Sequence, residues 1–248
     1  MDARIEETLA SLHSRRIKGI YAETCEEANQ KIVNLIPGDA TVGLGDSTAI
    51  NKMGTIQILK AKGIKVLDPF ETKRLGRDSE EAQRERRRIV REATVSDVFI
   101  AGTNAVTQDG RIVNVDGAGN RVAGMFWGHP ISIIVVGKNK IVRNLDEAFD
   151  RIRNVIAPHH FRIRSAELKG RKRNVPCAAT GKCSDCKAID RGCNIFTIIE
   201  YKPYQTDLHA VIVNQDLGLG WDPSWPPERI RRILDNYKKY VWIPPPTP

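Results

Sequence analysis

Hydrophobic runs long enough to cross a bilayer are missing from this chain of 248 residues. Its longest apolar stretches, such as ISIIVVG, fall far short of the ~20 residues that a membrane-spanning helix needs. The first residues, MDARIEETLASLHSRR, also lack the basic start and the apolar segment of a signal peptide. We therefore expect a soluble, cytoplasmic protein that does not insert into membranes.

Aromatic residues are also scarce, at 6% of the chain, although a net charge of +9 would suit a polyanionic partner. Stacking on aromatic rings is a main source of affinity for single-stranded nucleic acid, and no motif of a nucleic-acid-binding module occurs. Nucleic acid is therefore a disfavoured partner. A Walker-type Gly-Lys-Ser/Thr loop and the dinucleotide fingerprint GxGxxG are missing as well.

Disulfide bonds are not needed to hold such a chain, because 41% of its residues are hydrophobic and its length supports a core. The segment TVGLGDST ends an apolar run in a glycine turn, and a helical stretch and a second apolar run, IKVLD, follow it. A strand, glycine loop, helix and strand in this order predict a parallel sheet with helical crossovers. The expected fold class is α/β with an open, mostly parallel sheet.

Helix and turn signals complete this outline. Apolar spacing and capping residues predict helices over residues 2–16, 78–93 and 144–157. The strand VFIAGTNAVT, a Gln108-Asp109-Gly110 turn and the run RIVNV predict a hairpin. Residues 221–248 are expected to form an appended helix, starting at Ser224, and a proline-rich tail.

Cysteine is rare in this sequence but concentrated in one place. Four of its five cysteines lie in CAATGKCSDCKAIDRGC, at Cys177, Cys183, Cys186 and Cys193, while Cys25 is most simply a small core residue. Clustered thiols in a reducing compartment favour a metal site over disulfides. The compact spacing C-x5-C-x2-C-x6-C favours a [4Fe–4S] cluster, with zinc as the alternative.

Positive charge surrounds these cysteines. Between Phe161 and Cys193 three acids stand against nine cations, namely Arg162, Arg164, Lys169, Arg171, Lys172, Arg173, Lys182, Lys187 and Arg191. Such charge would offset the negative charge of a thiolate-bound metal group, and it would also attract an acidic electron-transfer partner. Residues 161–194 are therefore interpreted as a basic, cysteine-rich metal-binding insertion, expected close to a glycine loop of the domain.

Two glycine turns before helices are candidate anion sites. The first consists of Gly43, Gly45, Asp46, Ser47 and Thr48, and the second of Asp116, Gly117, Gly119, Asn120 and Arg121. Glycine lets the backbone approach a ligand, and the amides at a helix N-terminus attract negative charge. Asn104, Asp116 and Lys140 are the candidate catalytic side chains around a small anionic substrate. No role is assigned to His129, His159 or His160, because a lone histidine is more often an ordinary residue.

The segments VGLGDST, DVFIAGTNAVTQDGRIVNVDGAGNRV, IIVVGKNKIV and PCAATGKCSDC together resemble the lactate-utilisation (LUD) domain family over residues 1–220. The resemblance implies a fold like that of the ribose-5-phosphate isomerase and CoA-transferase group, with ligands at glycine loops. It also implies a link to the oxidation of lactate to pyruvate beside iron–sulfur partner proteins. Isomerase activity is not implied, because the chain departs from the isomerase pattern where catalytic residues should follow.

Three functional hypotheses follow. The first is an iron–sulfur LUD-domain protein that acts as an oxidoreductase component in lactate or related 2-hydroxyacid utilisation. The second is a transferase, isomerase or ligase that binds a phosphate, CoA or a carboxylate and carries a structural metal. The third is a non-catalytic module that senses redox state through its cluster.

Overall fold

The computed structural model describes residues 2–71, 79–167 and 174–241 of the chain. The strands in these residues are Lys18–Ala22 (β1), Thr41–Leu44 (β2), Lys65–Leu67 (β3), Val98–Gly102 (β4), Ala105–Thr107 (β5), Ile112–Asp116 (β6), Ile131–Gly137 (β7), Ile141–Val142 (β8), Ile195–Ile199 (β9) and Asp207–Val213 (β10). The larger sheet has the order β1-β10-β7-β4-β2-β3, and its strands are all parallel. The predicted α/β class with a mostly parallel central sheet is therefore confirmed.

The helices are Ala3–Ser14 (α1), Cys25–Leu35 (α2), Thr48–Met53 (α3), Thr55–Ala61 (α4), Glu80–Ala93 (α5), Asn120–Phe126 (α6), Leu145–Arg151 (α7), Ala157–Glu167 (α8), Pro176–Thr180 (α9) and Pro227–Val241 (α10). Side-chain caps explain several of their starts. Thr24, Ser47, Ser79 and Asn144 each accept a hydrogen bond from the backbone N–H three residues further on. Asp78, in the predicted charged helix, lies outside the described residues.

The central strands are apolar because both faces of the large sheet are covered. Every residue of β4 is buried, as expected for a parallel sheet between two layers. Apolar residues of α2, α3 and α4 pack on one face. On the other face lie α1, Met125 of α6 and part of a second sheet, with the order β8-β5-β6-β9.

The predicted hairpin exists, but its first strand divides in two. β5 and β6 pair antiparallel across the turn at Gln108-Asp109-Gly110. Residues 98–102 instead belong to β4 of the large sheet, and the chain changes sheet at Thr103 and Asn104. The Thr103 hydroxyl lies 3.2 Å from the carbonyl oxygens of both Ala105 and Val113, which fixes this change of direction.

Two helix predictions need correction. The helix capped by Asn144 does not end near residue 157; it passes through a π-helical turn, Ile152–Ile156, and continues as α8 to Glu167. Residues 161–167, assigned from sequence to the basic insertion, are therefore helical. The C-terminal helix begins at Pro227 rather than Ser224, whose backbone N–H and hydroxyl both donate to Asp222. Lys169, Arg171, Lys172, Arg173 and the final proline run lie outside the described residues.

The C-terminal helix packs on the body of the protein. Ile233, Tyr237 and Val241 of α10 share an apolar cluster with residues of β5, the π-helical turn and Trp221. Arg229 pairs with both carboxylate oxygens of Asp216, at 2.9 and 2.7 Å. In the described part of the chain, no helix combines the length and the hydrophobicity needed to span a membrane.

Because the large sheet is parallel, the carboxyl ends of its strands meet at one edge. The loops after β2, β4, β7 and β10 leave the sheet there, at residues 45–47, 103–104, 138–140 and 214–218. This edge is where parallel sheets usually bind ligands. Both Lys140 and the first glycine loop, residues 43–48, are located at it.

Candidate functional site

A cavity of about 300 Å³ opens at this edge, which is large enough for a small molecule. We call it the anion pocket. Of the residues singled out from sequence, it brings together Asp46, Ser47, Thr48, Asn104, Asp116, Gly117, Asn120, Arg121, Lys140 and Cys193. The two glycine loops, the three candidate catalytic side chains and one cysteine thus line one space.

Three predicted ligand-binding glycines are not in its wall. A Cβ on Gly43 would lie 2.1 Å from the carbonyl oxygen of Ala93, so this glycine allows a helix to approach β2 closely. A Cβ on Gly45 would lie 2.9 Å from the Arg121 side chain, behind the pocket. Gly119 has φ +92°, the left-handed region that glycine tolerates, at the start of α6. Packing and turn geometry account for these glycines, and direct ligand contacts by them stay a prediction.

Arg121 organises the second glycine loop, residues 116–121. One terminal nitrogen donates to the carbonyl oxygen of Gly102 and to Asn114, at 3.0 and 2.9 Å. The other donates to Asn104 Oδ1 at 3.0 Å and to the Val115 carbonyl oxygen at 2.6 Å. The guanidinium is therefore occupied inside the protein, where it ties the second glycine loop to the end of β4. A contact with a ligand stays a prediction for this residue.

Asp116 and Asn104 complete this arrangement. One oxygen of the Asp116 carboxylate accepts from the backbone N–H groups of Ala118 and Gly119, at 3.0 and 2.8 Å, and the other lies 3.5 Å from Arg121 Nε. Asn104 Oδ1 accepts from the Val115 N–H at 3.0 Å. Both side chains line the pocket, and hydrogen bonds from the loop backbone hold both in fixed orientations.

Lys140 lies in a different environment from the other cations of the pocket. Its side chain is almost fully buried, and its Nζ donates to the Thr103 carbonyl oxygen at 2.6 Å. The neighbouring Asn139 holds the loop after β10 in place by bonding to Leu217, Gly218 and Gly220. Burial, with a smaller contribution from Arg121, lowers the pKa of Lys140 to about 7.

Several residues of the pocket were not predicted from sequence to line a ligand site. They are Arg86 of α5, His160 and Arg164 of α8, and Tyr237 of α10. His160 Nδ1 lies 2.6 Å from the Tyr237 hydroxyl, and Arg164 lies 3.7 Å from Asp46. Burial raises the pKa of Tyr237 and lowers that of Arg86. The two histidines at 159–160 were a signal, but nothing in the local sequence separates one that lines a cavity from a surface residue.

The cysteine loop, residues 174–194, borders a second and smaller cavity, which we call the cysteine cavity. Cys177, Cys183, Cys186 and Cys193 all line it. Burial raises the pKa of Cys193 to about 11, and nearby Cys177 and Cys183 add to this shift. Burial also raises the pKa of Cys177, with further contributions from Cys186 and Cys183. The four thiols therefore lie close enough to influence one another.

A metal would need these thiols to converge further. Among the described residues, no group of three or more His, Cys, Asp or Glu side chains has the geometry to hold a metal ion. The donor set itself fits a soft metal, because four thiols face one cavity and thiolates are the preferred ligands of zinc and iron–sulfur clusters. The cysteines are thus gathered by the fold without forming a finished coordination site.

The cysteine loop is fastened to the second glycine loop. The Asn194 backbone N–H donates to the Asp116 carbonyl oxygen at 3.0 Å, and its side-chain amide donates to the Gly117 carbonyl oxygen at 3.0 Å. A Cβ on Gly117 would lie 3.3 Å from the Gly192 carbonyl oxygen. Cys193 lines both the anion pocket and the cysteine cavity. The expected proximity of the cysteines to a glycine loop is therefore observed, and the two cavities share a wall.

Comparisons with known proteins identify the family. Residues 5–213 match the LUD domain, so the chain belongs to the LUD-domain family. Among solved structures it is similar to a DUF162 family protein from Deinococcus radiodurans, with 13% identity over 86% of this chain and 95% of that one, and a TM-score of 0.42. No curated protein matches the chain. The family match ends before α10, which contributes Tyr237 and Val241 to the anion pocket.

Proposed function

We propose that this LUD-domain protein carries an iron–sulfur cluster on its cysteine loop and is an oxidoreductase component in the use of lactate or a related 2-hydroxyacid. The observation that carries this proposal is the position of Cys193, a residue that lines both the anion pocket and the cysteine cavity. A redox group on the four cysteines would therefore adjoin a bound substrate. The family name supports the choice of substrate class.

The charge of the anion pocket supports a small carboxylate as the ligand. Arg86, Arg121, Lys140 and Arg164 line it against the two acids Asp46 and Asp116. Arg121 and Asp116 largely satisfy each other and the loop backbone. We assign the carboxylate to Arg86, whose buried Nε has no hydrogen-bond partner among the described residues, with Arg164, 3.7 Å from Asp46, beside it. Asn104 and Asp116 then act by positioning the two loops, and Lys140 is the candidate for direct chemistry.

A bound cluster would supply a one-electron carrier, held by Cys177, Cys183, Cys186 and Cys193. Oxidation of a 2-hydroxyacid to a 2-oxo acid releases two electrons and two protons. The second electron therefore requires a partner protein, for which we propose an iron–sulfur protein with an acidic docking surface. Lys182, Lys187 and Arg191 on the cysteine loop would attract such a surface.

The pocket between two glycine loops at the edge of a parallel sheet is also the arrangement expected of the ribose-5-phosphate isomerase and CoA-transferase type. We include this fold type in the proposal. It supports a small anionic substrate, because that sheet edge and the helix N-termini beside it favour anions.

Anaerobic purification with iron and sulfide analysis, followed by absorption and EPR spectra before and after reduction, tests the cluster. We expect about four irons and four sulfides per chain and a spectrum that changes on adding L- or D-lactate. Cys25→Ser provides the matched control, because Cys25 does not line the cysteine cavity and its thiol donates to Gln215. A colourless protein with one zinc and no sulfide would exclude the cluster.

The second candidate is a phosphate-, CoA- or carboxylate-binding transferase, isomerase or ligase in which the metal is structural. Lys140 favours it, because a buried amine with a pKa of about 7 serves acid–base or nucleophilic chemistry without any redox group. Catalysis that survives the replacement of Cys183 and Cys186 by serine in a folded protein would select this candidate. Loss of turnover together with the metal would select the first.

A further inference from the structure

The Lys140 amine lies in the wall of the anion pocket without a carboxylate partner among the residues that the structure describes. Its Nζ is held by the Thr103 carbonyl oxygen at 2.6 Å, and a Cβ on Gly218 would lie 3.2 Å from it. The charged group that acts on it is Arg121, which is also positive. A buried ammonium in such surroundings is costly, whereas a neutral amine is not.

The other lysines around this edge have ordinary structural roles. Lys52 donates to the Asp216 carbonyl oxygen, and Lys138 donates to Asn214 Oδ1 at 3.2 Å. Neither of them lines the anion pocket. Of these three lysines, only Lys140 lines the pocket, which also contains cations suited to a carboxylate. Desolvation beside another cation is one of the ways in which proteins make a lysine nucleophilic.

We propose that the Lys140 amine is a nucleophile that forms an imine with the carbonyl carbon of a small 2-oxo acid bound in the anion pocket. The nitrogen lone pair adds to C2, and the former carbonyl oxygen takes up a proton to give a carbinolamine. That oxygen then leaves as water, carrying both protons of the amine, and the C=N bond forms. The step needs neither an oxidant nor a reductant.

The choice of a 2-oxo acid rests on the proposed function, since oxidation of a 2-hydroxyacid produces one. The carboxylate would face Arg86 and Arg164, which places the adjacent carbonyl within the same pocket as the amine. The pocket would in this way retain the oxidised product covalently, or accept a 2-oxo acid as a substrate in its own right.

Reductive trapping tests the imine on the full-length protein. Pyruvate and sodium cyanoborohydride are added near neutral pH, and peptide mass mapping locates the adduct, whose mass gain equals pyruvic acid less one oxygen atom. We expect Lys140 to be modified at least about tenfold faster than the exposed lysines, because its neutral fraction is far larger. Lys140→Met should abolish that site, and Lys138→Met should leave it unchanged. Modification spread evenly over exposed lysines, with Lys140 untouched, would overturn the proposal.

L-lactate separates this inference from the proposed function, because it has the carboxylate but no carbonyl group at C2. Lactate binding, measured by calorimetry, without any trapping at Lys140 would refute the imine and leave the hydroxyacid site standing. If Lys140 is trapped but lactate neither binds to the protein nor slows the trapping, the imine is supported and the hydroxyacid site is refuted. Trapping that lactate slows supports both.

Discussion

The anion pocket and the cysteine loop are held in place in different ways, although they share a wall. Arg121 in the pocket and Arg191 in the cysteine loop each bridge carbonyl and side-chain oxygens. The Arg121 side chain is 13% exposed, whereas that of Arg191 is 29% exposed and reaches an open Asp185. The pocket is thus preformed around a largely buried guanidinium, whereas the arginine of the cysteine loop lies nearer the solvent.

The largest effect expected from this difference is the loss of bound metal. Replacing Cys183 or Cys193 by alanine should remove most of the iron, because each would contribute one of the four ligands. Only Cys193→Ala should also weaken lactate binding, by a few fold, since Cys183 does not line the anion pocket. Iron analysis and calorimetry on both variants measure this. Equal iron contents in the variants and the unaltered protein would contradict the ligand assignment.

Replacing each of the two arginines should lower the free energy of unfolding by different amounts in the two regions. Arg121→Met removes the cation beside the largely buried Asp116 carboxylate and the donor of several pocket oxygens, so we expect a loss of about 3–5 kcal/mol in the free energy of unfolding. Arg191→Met removes the three hydrogen bonds of a more exposed side chain, one of them to the exposed Asp185, and should cost less than about 1 kcal/mol. Urea denaturation of both metal-free variants tests the comparison. Similar losses would mean that burial does not distinguish the two regions.

The cysteine loop was easier to predict from sequence than the anion pocket, because its residues are close together in the chain. Short-range signals sufficed for the parallel sheet, the hairpin and the Asn144 cap, because strand alternation, turn residues and caps are local. The cysteines were found from spacing alone. Arg86, His160 and Tyr237 were missed because distant segments bring them to the pocket. Gly43 and Gly45 were predicted to bind a ligand, and that stays a prediction; their close approaches to Ala93 and Arg121 could not be read from the local sequence.

The pH dependence of Lys140 provides a third contrast, this time with a free lysine side chain in solution. Because its pKa is lowered to about 7, the neutral amine predominates above that pH and is lost as the pH falls below it. Arg121 is the charged group that acts on it, while Thr103 and Gly218 contribute neutral backbone. The trapping rate with pyruvate should therefore level off above pH 8 and fall about tenfold per unit in acid. The trapping rate of Nα-acetyl-lysine, whose ε-amine is free, should still rise up to pH 10. If the trapping rate at Lys140 rose with pH in the same way up to pH 10, the pKa of Lys140 would not be lowered.

Tyr237→Phe should have the smallest effect and bears on whether α10 belongs to the pocket. The change removes the hydroxyl that lies 2.6 Å from His160 Nδ1 but keeps the ring in its apolar cluster. We expect a cost of about 1 kcal/mol in unfolding free energy, from the loss of the hydroxyl's hydrogen bonds with His160 and Thr48. Tyr240→Phe, on the same helix, should cost less than about 0.5 kcal/mol.

Ligand binding separates a structural role of Tyr237 from a role in the site. Because Tyr237 lines the anion pocket and not the cysteine cavity, its variant should bind lactate a few fold more weakly and retain all of its iron. Cys183→Ala should show the opposite pattern. If Tyr237→Phe leaves the affinity for lactate unchanged, the Tyr237 hydroxyl has a structural role and no role in ligand binding. Weaker binding would instead mean that α10, which lies beyond the family match, contributes to substrate binding.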